Sequence, residues 1–397
     1  MPSGLEPGPQ QSAPDVTALY AAARKHHRER NLAAARALYE QVRALAPEHP
    51  GNLYHLAILA LETARPRIAI DLLARVIAQR DAPDAHYHLA LALQMERRLA
   101  EAETHYRQAV ALKPDYVEAQ MNLGNVLAER GSREEAAACY ARVLALAPRA
   151  AAAHYNLANM LAALGRLDEA EAHFRAAIAG EPAFAEAWSN LGNLLRDTGK
   201  PREAEAAYRR ALTFKPEHAE AHNNLGVMIA ARGALPEAIA HYRRAVALRP
   251  GFVAAHNNLG LALARRGDAA AAVACFRDAL RLAPDDLDAT HHLARELFAQ
   301  GQAAEAVALL TRALDRNGDA ETRSLFALCL RGLSVAELEG VRGYVLRALA
   351  EGWAHNGDLE QPGIALVKHA RAMAACIALA NAAWLAGTTA DLAQLLA

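Results

Sequence analysis

The sequence predicts an all-α solenoid of stacked antiparallel helix pairs with a helical C-terminal cap, and three observations predict it. A pattern returns every 34 residues: EAHNNLGVMIAARG at 220–233 comes back as AAHNNLGLALARRG at 254–267. Within each copy the apolar residues fall at helical spacing. Glycine and proline stand at two fixed places where helices must stop.

In chain order, residues 1–15 (MPSGLEPGPQQSAPD) are rich in Pro, Gly, Gln and Ser and predict a flexible tail. They have neither the basic start nor the apolar centre of a signal peptide. Residues 16–320 hold nine copies of the repeat. The copy from Ala185 shows the frame: Trp188, Leu191, Gly192, Leu195, Gly199, Ala204, Tyr208, Ala211 and Pro216 stand at positions 4, 7, 8, 11, 15, 20, 24, 27 and 32. One period later the set reads His222, Leu225, Gly226, Ile229, Gly233, Ala238, Tyr242, Ala245 and Pro250, and the next period keeps it from His256 to Pro284. Upstream copies begin at Ala151, Val117 and Pro83, two degenerate ones near Val16 and Pro50, and a last one at Leu287.

Positions 4, 7, 8 and 11 form one apolar stripe on a first helix, and positions 20, 24 and 27 do the same on a second. Gly or Ala at position 8 lets a neighbouring helix come close. Gly at 15 supplies the left-handed residue that ends the first helix, and Pro at 32 stops the second. One helix pair cannot bury its apolar face alone, so the units must stack.

This frame resembles the tetratricopeptide repeat over about residues 16–320. It departs at position 4, where the usual aromatic survives only as Trp188 and His is frequent. The resemblance implies a right-handed superhelix whose first helices line an inner groove.

The core does not require Asn at position 6, yet that position reads His55, His88, Asn122, Asn156, Asn190, Asn224, Asn258 and His292 down the array. Position 9 adds Asn125, Asn159 and Asn193, and position 5 gives Tyr54, Tyr87, Tyr155, Asn223 and Asn257. With the first helices lining a groove, the candidate peptide-binding residues are Asn122, Asn156, Asn190, Asn224, Asn258, Asn125, Asn159, Asn193, Asn223, Asn257, Tyr87 and Tyr155. An Asn amide carries a donor and an acceptor and can match the C=O and N–H of an extended peptide. Packed helices lie about 8–10 Å apart and an extended chain advances about 3.3 Å per residue, so one Asn meets roughly every third peptide residue. Each contact nets only about 0.5–1.5 kcal/mol, so affinity must come from repetition.

A single such Asn is more simply read as bonding its own turn or a neighbouring helix; five in succession on one groove favour a ligand. The column resembles the Asn ladder in the tetratricopeptide arm of protein O-GlcNAc transferases, where it holds substrate polypeptides. That likeness carries over to Asn122, Asn156, Asn190, Asn224 and Asn258 only. Position 2 is acidic at Asp84, Glu118, Glu186, Glu220 and Asp288. Such a rim repels a carboxylate tail of the kind chaperone-tail binders grip, and the expected guests are neutral or basic peptides.

A formal net charge of -1 and a pI near 7.0 lack the clustered Lys and Arg that nucleic acid needs. No apolar run reaches membrane length. Cys139, Cys275, Cys329 and Cys376 lie far apart and read as reduced thiols, consistent with a cytoplasmic location. His86 with His88, and His291 with His292, lack the spacing and carboxylate company of a helical zinc site. The position-4 histidines (His86, His154, His222, His256) are read as packing, and no metal or other cofactor is expected. Phosphate-loop, nucleophile-elbow and metalloprotease motifs are missing, and carboxylates such as Glu169 and Glu203 sit at solvent-facing positions, so no catalysis is expected.

Residues 321–397 lose the frame but still read as helical, a cap or linker. Ser334 with Glu337 predicts a capping box, and Leu346, Leu349 and Trp353 are placed on one helical face. EGWAHNGDLEQP resembles, loosely, the helical joint that links some bacterial tetratricopeptide arrays to a methyltransferase domain. The chain closes on DLAQLLA without a stop signal, which leaves a longer protein open. The reading is therefore a non-enzymatic scaffold that binds extended polypeptide segments in an Asn-lined groove. The alternative is the substrate-recruiting arm of a larger transferase, glycosyl- or methyl-; self-association through the C-terminal helices is a third reading.

Overall fold

The computed structural model describes residues 15–351 together with Trp353 and Pro362. The expected tail before Asp15, and most of the expected C-terminal segment beyond Trp353, lie outside the described residues. Among the described residues there are 21 helices and no strand. The first helices of the nine repeats are α1 (Val16–Arg28), α3 (Pro50–Glu62), α5 (Pro83–Met95), α7 (Val117–Glu129), α9 (Ala151–Ala163), α11 (Ala185–Asp197), α13 (Ala219–Ala231), α15 (Val253–Arg266) and α17 (Leu287–Ala299). The second helices are α2 (Leu32–Leu45), α4 (Pro66–Gln79), α6 (Leu99–Leu112), α8 (Arg133–Leu146), α10 (Leu167–Gly180), α12 (Pro201–Phe214), α14 (Leu235–Leu248), α16 (Ala269–Leu282) and α18 (Ala303–Asn317). Each begins at the same frame position in every repeat, 1 for the first helices and 17 for the second. Three more follow: α19 (Ala320–Leu330), α20 (Val335–Gly340) and α21 (Arg342–Glu351).

The chain divides into two compact units, Met1–Lys200 and Pro201–Ala397. In the first, α1 to α10 form five antiparallel pairs, and each second helix also packs on the first helix that follows it, ending with α10 on α11. In the second, α12 packs on α13, then three pairs run from α13 to α18 by the same rule. Helix α19 contacts both α17 and α18, the place a further first helix would take, and so covers the end of the array.

The core follows the frame. Ala at position 20 is fully buried at Ala102, Ala136 and Ala170 in the first unit and at Ala238, Ala272 and Ala306 in the second. The ring at position 24 (Tyr106, Tyr140, Phe174; Tyr242, Phe276) is at most 3% exposed. It lies against the small residue at position 8. A Cβ built on Gly124 would stand 2.6 Å from the Tyr140 ring, on Gly226 2.7 Å from Tyr242, and on Gly260 2.5 Å from Phe276. Van der Waals contact forbids such distances, so glycine here sets how close the two helices of a pair approach.

Position 15 is left-handed in all nine repeats. Gly131, Gly165, Gly199, Gly233, Gly267 and Gly301 have φ between 74° and 91°, and the degenerate repeats place Arg30 (61°), Ala64 (52°) and Arg97 (61°) in the same region. Backbone geometry is thus kept where the residue that suits it is not.

Position 4 is where the structure adds to the sequence reading. Its ring does pack, and it also bonds the carbonyl of the preceding position-32 proline: His154 Nε2 to Pro148 O at 3.1 Å, Trp188 Nε1 to Pro182 O at 2.9 Å, His222 Nε2 to Pro216 O at 3.0 Å and His256 Nε2 to Pro250 O at 3.0 Å. In three repeats a second histidine, at position 23, meets it: Nδ1 to Nδ1 is 2.8 Å for His86–His105 and 2.9 Å for His154–His173 and His222–His241. In the His154 and His222 pairs the proline carbonyl can only accept. The position-4 ring therefore carries its proton on Nε2 and accepts at Nδ1 from its partner. These pairs recur every 68 residues, in alternate repeats, a period that only a joint reading of columns 4 and 23 reveals.

Charged side chains tie neighbouring repeats. Glu103 holds Arg107 and Arg130, Glu171 holds Arg175 and Lys200, and Glu205 holds Arg209 and Arg232. The Lys200 and Arg175 side chains bond to Glu171 and keep its carboxyl below the usual range.

Beyond the array, Ser334 and Glu337 form the expected capping box. The expected shared face of Leu346 and Trp353 is not formed. Helix α21 ends at Glu351, and Trp353, 6% exposed, turns edge-on to Phe326 at 6.0 Å, whereas Leu346 is 55% exposed. The Leu349 side chain lies outside the described residues.

Two outcomes follow from these features. Ala64→Gly relieves a left-handed strain of about 1–2 kcal/mol at the cost of a freer unfolded chain, so it raises stability by about 0.5–1 kcal/mol; Gly165→Ala, with open space around it, lowers stability by about 1 kcal/mol. Urea midpoints check both, and equal midpoints would contradict the assignment. Burial, aided by the neighbouring ring, holds His105, His173 and His241 below the ordinary histidine value of 6.5. The unfolded chain then binds more protons than the folded one below about pH 6.5. Stability is full above that pH and declines as pH falls toward the folded values. Thermal melting between pH 8 and pH 5 should show a plateau and then a fall, and replacing all three by Leu, the residue found at position 23 in Leu309, should flatten that fall.

Candidate functional site: a column of carboxamides

Position 6 lies about 200° round the first helix from position 4, so it leaves the packing face and stands half-buried on another. In the first unit α7, α9 and α11 carry Asn122, Asn156 and Asn190 there; in the second α13 and α15 carry Asn224 and Asn258.

The first unit shows a repeated bond. Asn156 Nδ2 donates to Asn125 Oδ1 at 3.2 Å, and Asn190 Nδ2 donates to Asn159 Oδ1 at 2.9 Å. Position 6 of one repeat is thereby tied to position 9 of the repeat before it. Asn156 also reaches Met121 Sδ at 3.7 Å, and Asn190 reaches the Tyr155 hydroxyl at 3.1 Å. Tyr140 donates its hydroxyl proton to Asn125 Oδ1 at 2.8 Å. The NH₂ group of position 6 and the carbonyl oxygen of position 9 are thus taken by the scaffold. Their complements are not: the Oδ1 of Asn156 and Asn190 and the Nδ2 of Asn125 and Asn159 have no hydrogen bond among the described residues. Each rung therefore presents one acceptor and one donor side by side, on half-buried side chains.

Earlier repeats make the rung with rings. Asn122 Nδ2 donates to Tyr87 Oη at 3.4 Å, and the position-5 hydroxyls of Tyr20 and Tyr54 lie 2.9 Å and 3.1 Å from Nδ1 of His55 and His88. His55 and His88 continue the column, as their place in the frame suggests. Each also directs Nδ1 at its own helix, to Gly51 O and Asp84 O, so that nitrogen carries the proton. Burial lowers both histidine pKa values, and burial with Asp84 nearby pushes the Tyr54 hydroxyl up to about 12. The rings here are neutral polar groups at neutral pH. Tyr87 lies tilted against Tyr116 at 5.0 Å and Tyr155 against Phe184 at 4.8 Å, which holds each hydroxyl beside the neighbouring amide.

In the second unit Asn258 Nδ2 donates to Asn223 Oδ1 at 2.9 Å, and Asn223 donates to Asn224 Oδ1 at 3.1 Å. Asn223 and Asn257 are only 5% and 8% exposed, and Asn257 donates to Asp286 at 3.2 Å. These two candidates from the sequence sit inside the scaffold, because position 5 turns toward the neighbouring helix there. Asn193 and Asn224 are half-buried and engaged in polar contacts.

The acidic character expected at position 2 is uneven. Asp84 and Glu118 are exposed. Glu220 is paired with Arg249, and His218 lies 3.1 Å from it, so its charge is largely cancelled. No group of three or more His, Cys, Asp or Glu side chains among the described residues could hold a metal ion. No helix among them is long and apolar enough to cross a membrane.

Known proteins set this geometry in context. Two tetratricopeptide-repeat family models match residues 121–187 and 189–251, and residues 26–93 and 263–329; a TPR-repeat model matches 98–131. Among curated proteins, none matches the chain by sequence. Similar solved structures include YrrB, described as a TPR protein with an unusual peptide-binding site, at 25% identity over 47% of this chain and 96% of that one, with a TM-score of 0.39. MamA aligns at 21% identity over 41% and 95%, with a TM-score of 0.39. Pseudomonas aeruginosa pilF aligns at 18% identity over 52% and 95%, with a TM-score of 0.48. The repeat models together span most of the helix pairs described above, and the chain belongs to the tetratricopeptide-repeat family.

Proposed function

We propose that this protein is a scaffold that binds extended polypeptide segments by their backbone, along the carboxamide rungs of the first unit. The observation that carries the reading is the pairing of Asn125 with Asn156 and of Asn159 with Asn190, each leaving one acceptor and one donor uncommitted. An extended chain offers the complement, N–H and C=O, at every residue. The rungs are pre-organised: their orientation is fixed before a guest arrives, so little side-chain entropy is lost on binding. Exposed Asp84 and Glu118 favour neutral or basic guests. Asn122 has the same role in this reading, supported by Tyr87. In the second unit Asn258 offers its carbonyl, whereas Asn223 and Asn257 act as supports. Asn193 and Asn224 remain in the proposed site.

The test is binding of an unstructured peptide library, followed by titration of the best binder. Asn156→Ala with Asn190→Ala removes two contacts of about 1 kcal/mol each and should weaken binding roughly 10- to 30-fold at an unchanged fold. A guest methylated on its backbone nitrogens should lose affinity by a similar factor, because the carbonyls of Asn156 and Asn190 then meet no donor. Equal affinity for methylated and unmethylated guests would exclude backbone recognition.

A further inference from the structure

Positions 4 and 23 border the cleft between successive second helices. Where both are histidine the rings meet in it, at 2.8–2.9 Å between nitrogens. Six repeats put another residue at one or both positions, and cavities lie beside two of these. The fourth repeat has Gln120 and Cys139, and a cavity of about 580 Å³ lies between α6 and α8. The ninth has Thr290 and Leu309, and a cavity of about 800 Å³ lies between α16 and α18 over α17.

The larger cavity has a built chemistry. Its floor is aliphatic, made by Leu280, Leu293, Leu297 and Leu309 among others. Leu293 and Leu297 are at most 4% exposed, so the floor belongs to the core. Thr290 adds no polar demand, since its hydroxyl donates to Asp286 O at 2.9 Å. Three arginines line the wall. Arg277 is paired with Glu305 at 2.7 Å and Arg316 with Asp285. Arg312, between them in the wall, bonds only the Ala308 carbonyl of its own helix, at 3.3 Å. No carboxylate of the described residues answers its charge. A volume of this size lies in the range of small-ligand sites, which are mostly apolar with a few placed polar groups.

We propose that the cleft between α16 and α18 binds a fatty-acid carboxylate, its aliphatic chain over the leucine floor and its carboxylate on Arg312. Charge complementarity selects this occupant: the wall supplies one uncompensated cation above an apolar floor. A free acid of single-chain size needs no long flat groove. None of the carboxamides of the proposed peptide site lines this cleft.

Calorimetric titration of the full chain with octanoate, nonanoate and decanoate tests it. Saturable binding at one site is expected, tightening by about fourfold per added methylene while the floor still has room. 1-Decanol should bind more weakly than decanoate, and Arg312→Gln should narrow that gap by two- to fivefold, the scale of an exposed ion pair. The double variant Thr290→His/Leu309→His installs the protein's own plug and should abolish binding while melting no lower than the parent. Absence of saturable binding, or an affinity that the plug leaves unchanged, would overturn the proposal. So would binding of an acidic leucine-bearing peptide at the plug-sensitive cleft with none of decanoate.

Discussion

The fold rests on the approach of a glycine or alanine at position 8 to the aromatic ring at position 24. In the first unit Gly124 faces Tyr140, and in the second Gly226 faces Tyr242 and Gly260 faces Phe276, each with too little room for one more carbon. That contact fixes the spacing within a pair. The spacing brings position 20 alanines to zero exposure and lets the next first helix seat on the second. Interiors packed this densely tolerate little change in volume, so one contact, repeated, sets the geometry that every polar column inherits.

On that frame the polar residues divide into two kinds. The histidine pairs of positions 4 and 23 are consumed by the scaffold, and the Tyr87 and Tyr155 hydroxyls each accept one bond from it. The asparagines of positions 6 and 9 are half consumed. A carboxamide has two ends, and each bonded pair spends one end of each member, leaving a polar edge whose orientation is fixed. An isolated surface Asn would instead turn freely in water. Tying neighbouring repeats together and displaying an ordered edge are therefore the same bond seen from two sides.

Much of this was legible in the sequence. The two helices of each repeat, the left-handed turn at 15 and the buried alanine and ring columns follow from periodicity, because each is a one-residue constraint repeated at fixed spacing. The asparagine column was legible as a column. Its bonding was not, since a bond from position 6 to position 9 of the preceding repeat joins residues 31 apart, which no single helix pattern encodes. Asn223 and Asn257 show the same limit: position 5 is occupied by Tyr87 and Tyr155 in earlier repeats, and only packing tells that the shorter amides sink to 5% and 8% exposure. The histidine pairs escaped because columns 4 and 23 lie on different helices and repeat every 68 residues. The face assigned to Trp353 failed because the helix stops two residues before it.

The three turns that lack glycine, at Arg30, Ala64 and Arg97, all lie in the first three repeats. In a solenoid each repeat answers mainly to its immediate neighbours, so local strain is not shared along the array. The amino-terminal end of the first unit therefore frays first, and its amides exchange with solvent sooner than those of the glycine-jointed repeats behind it.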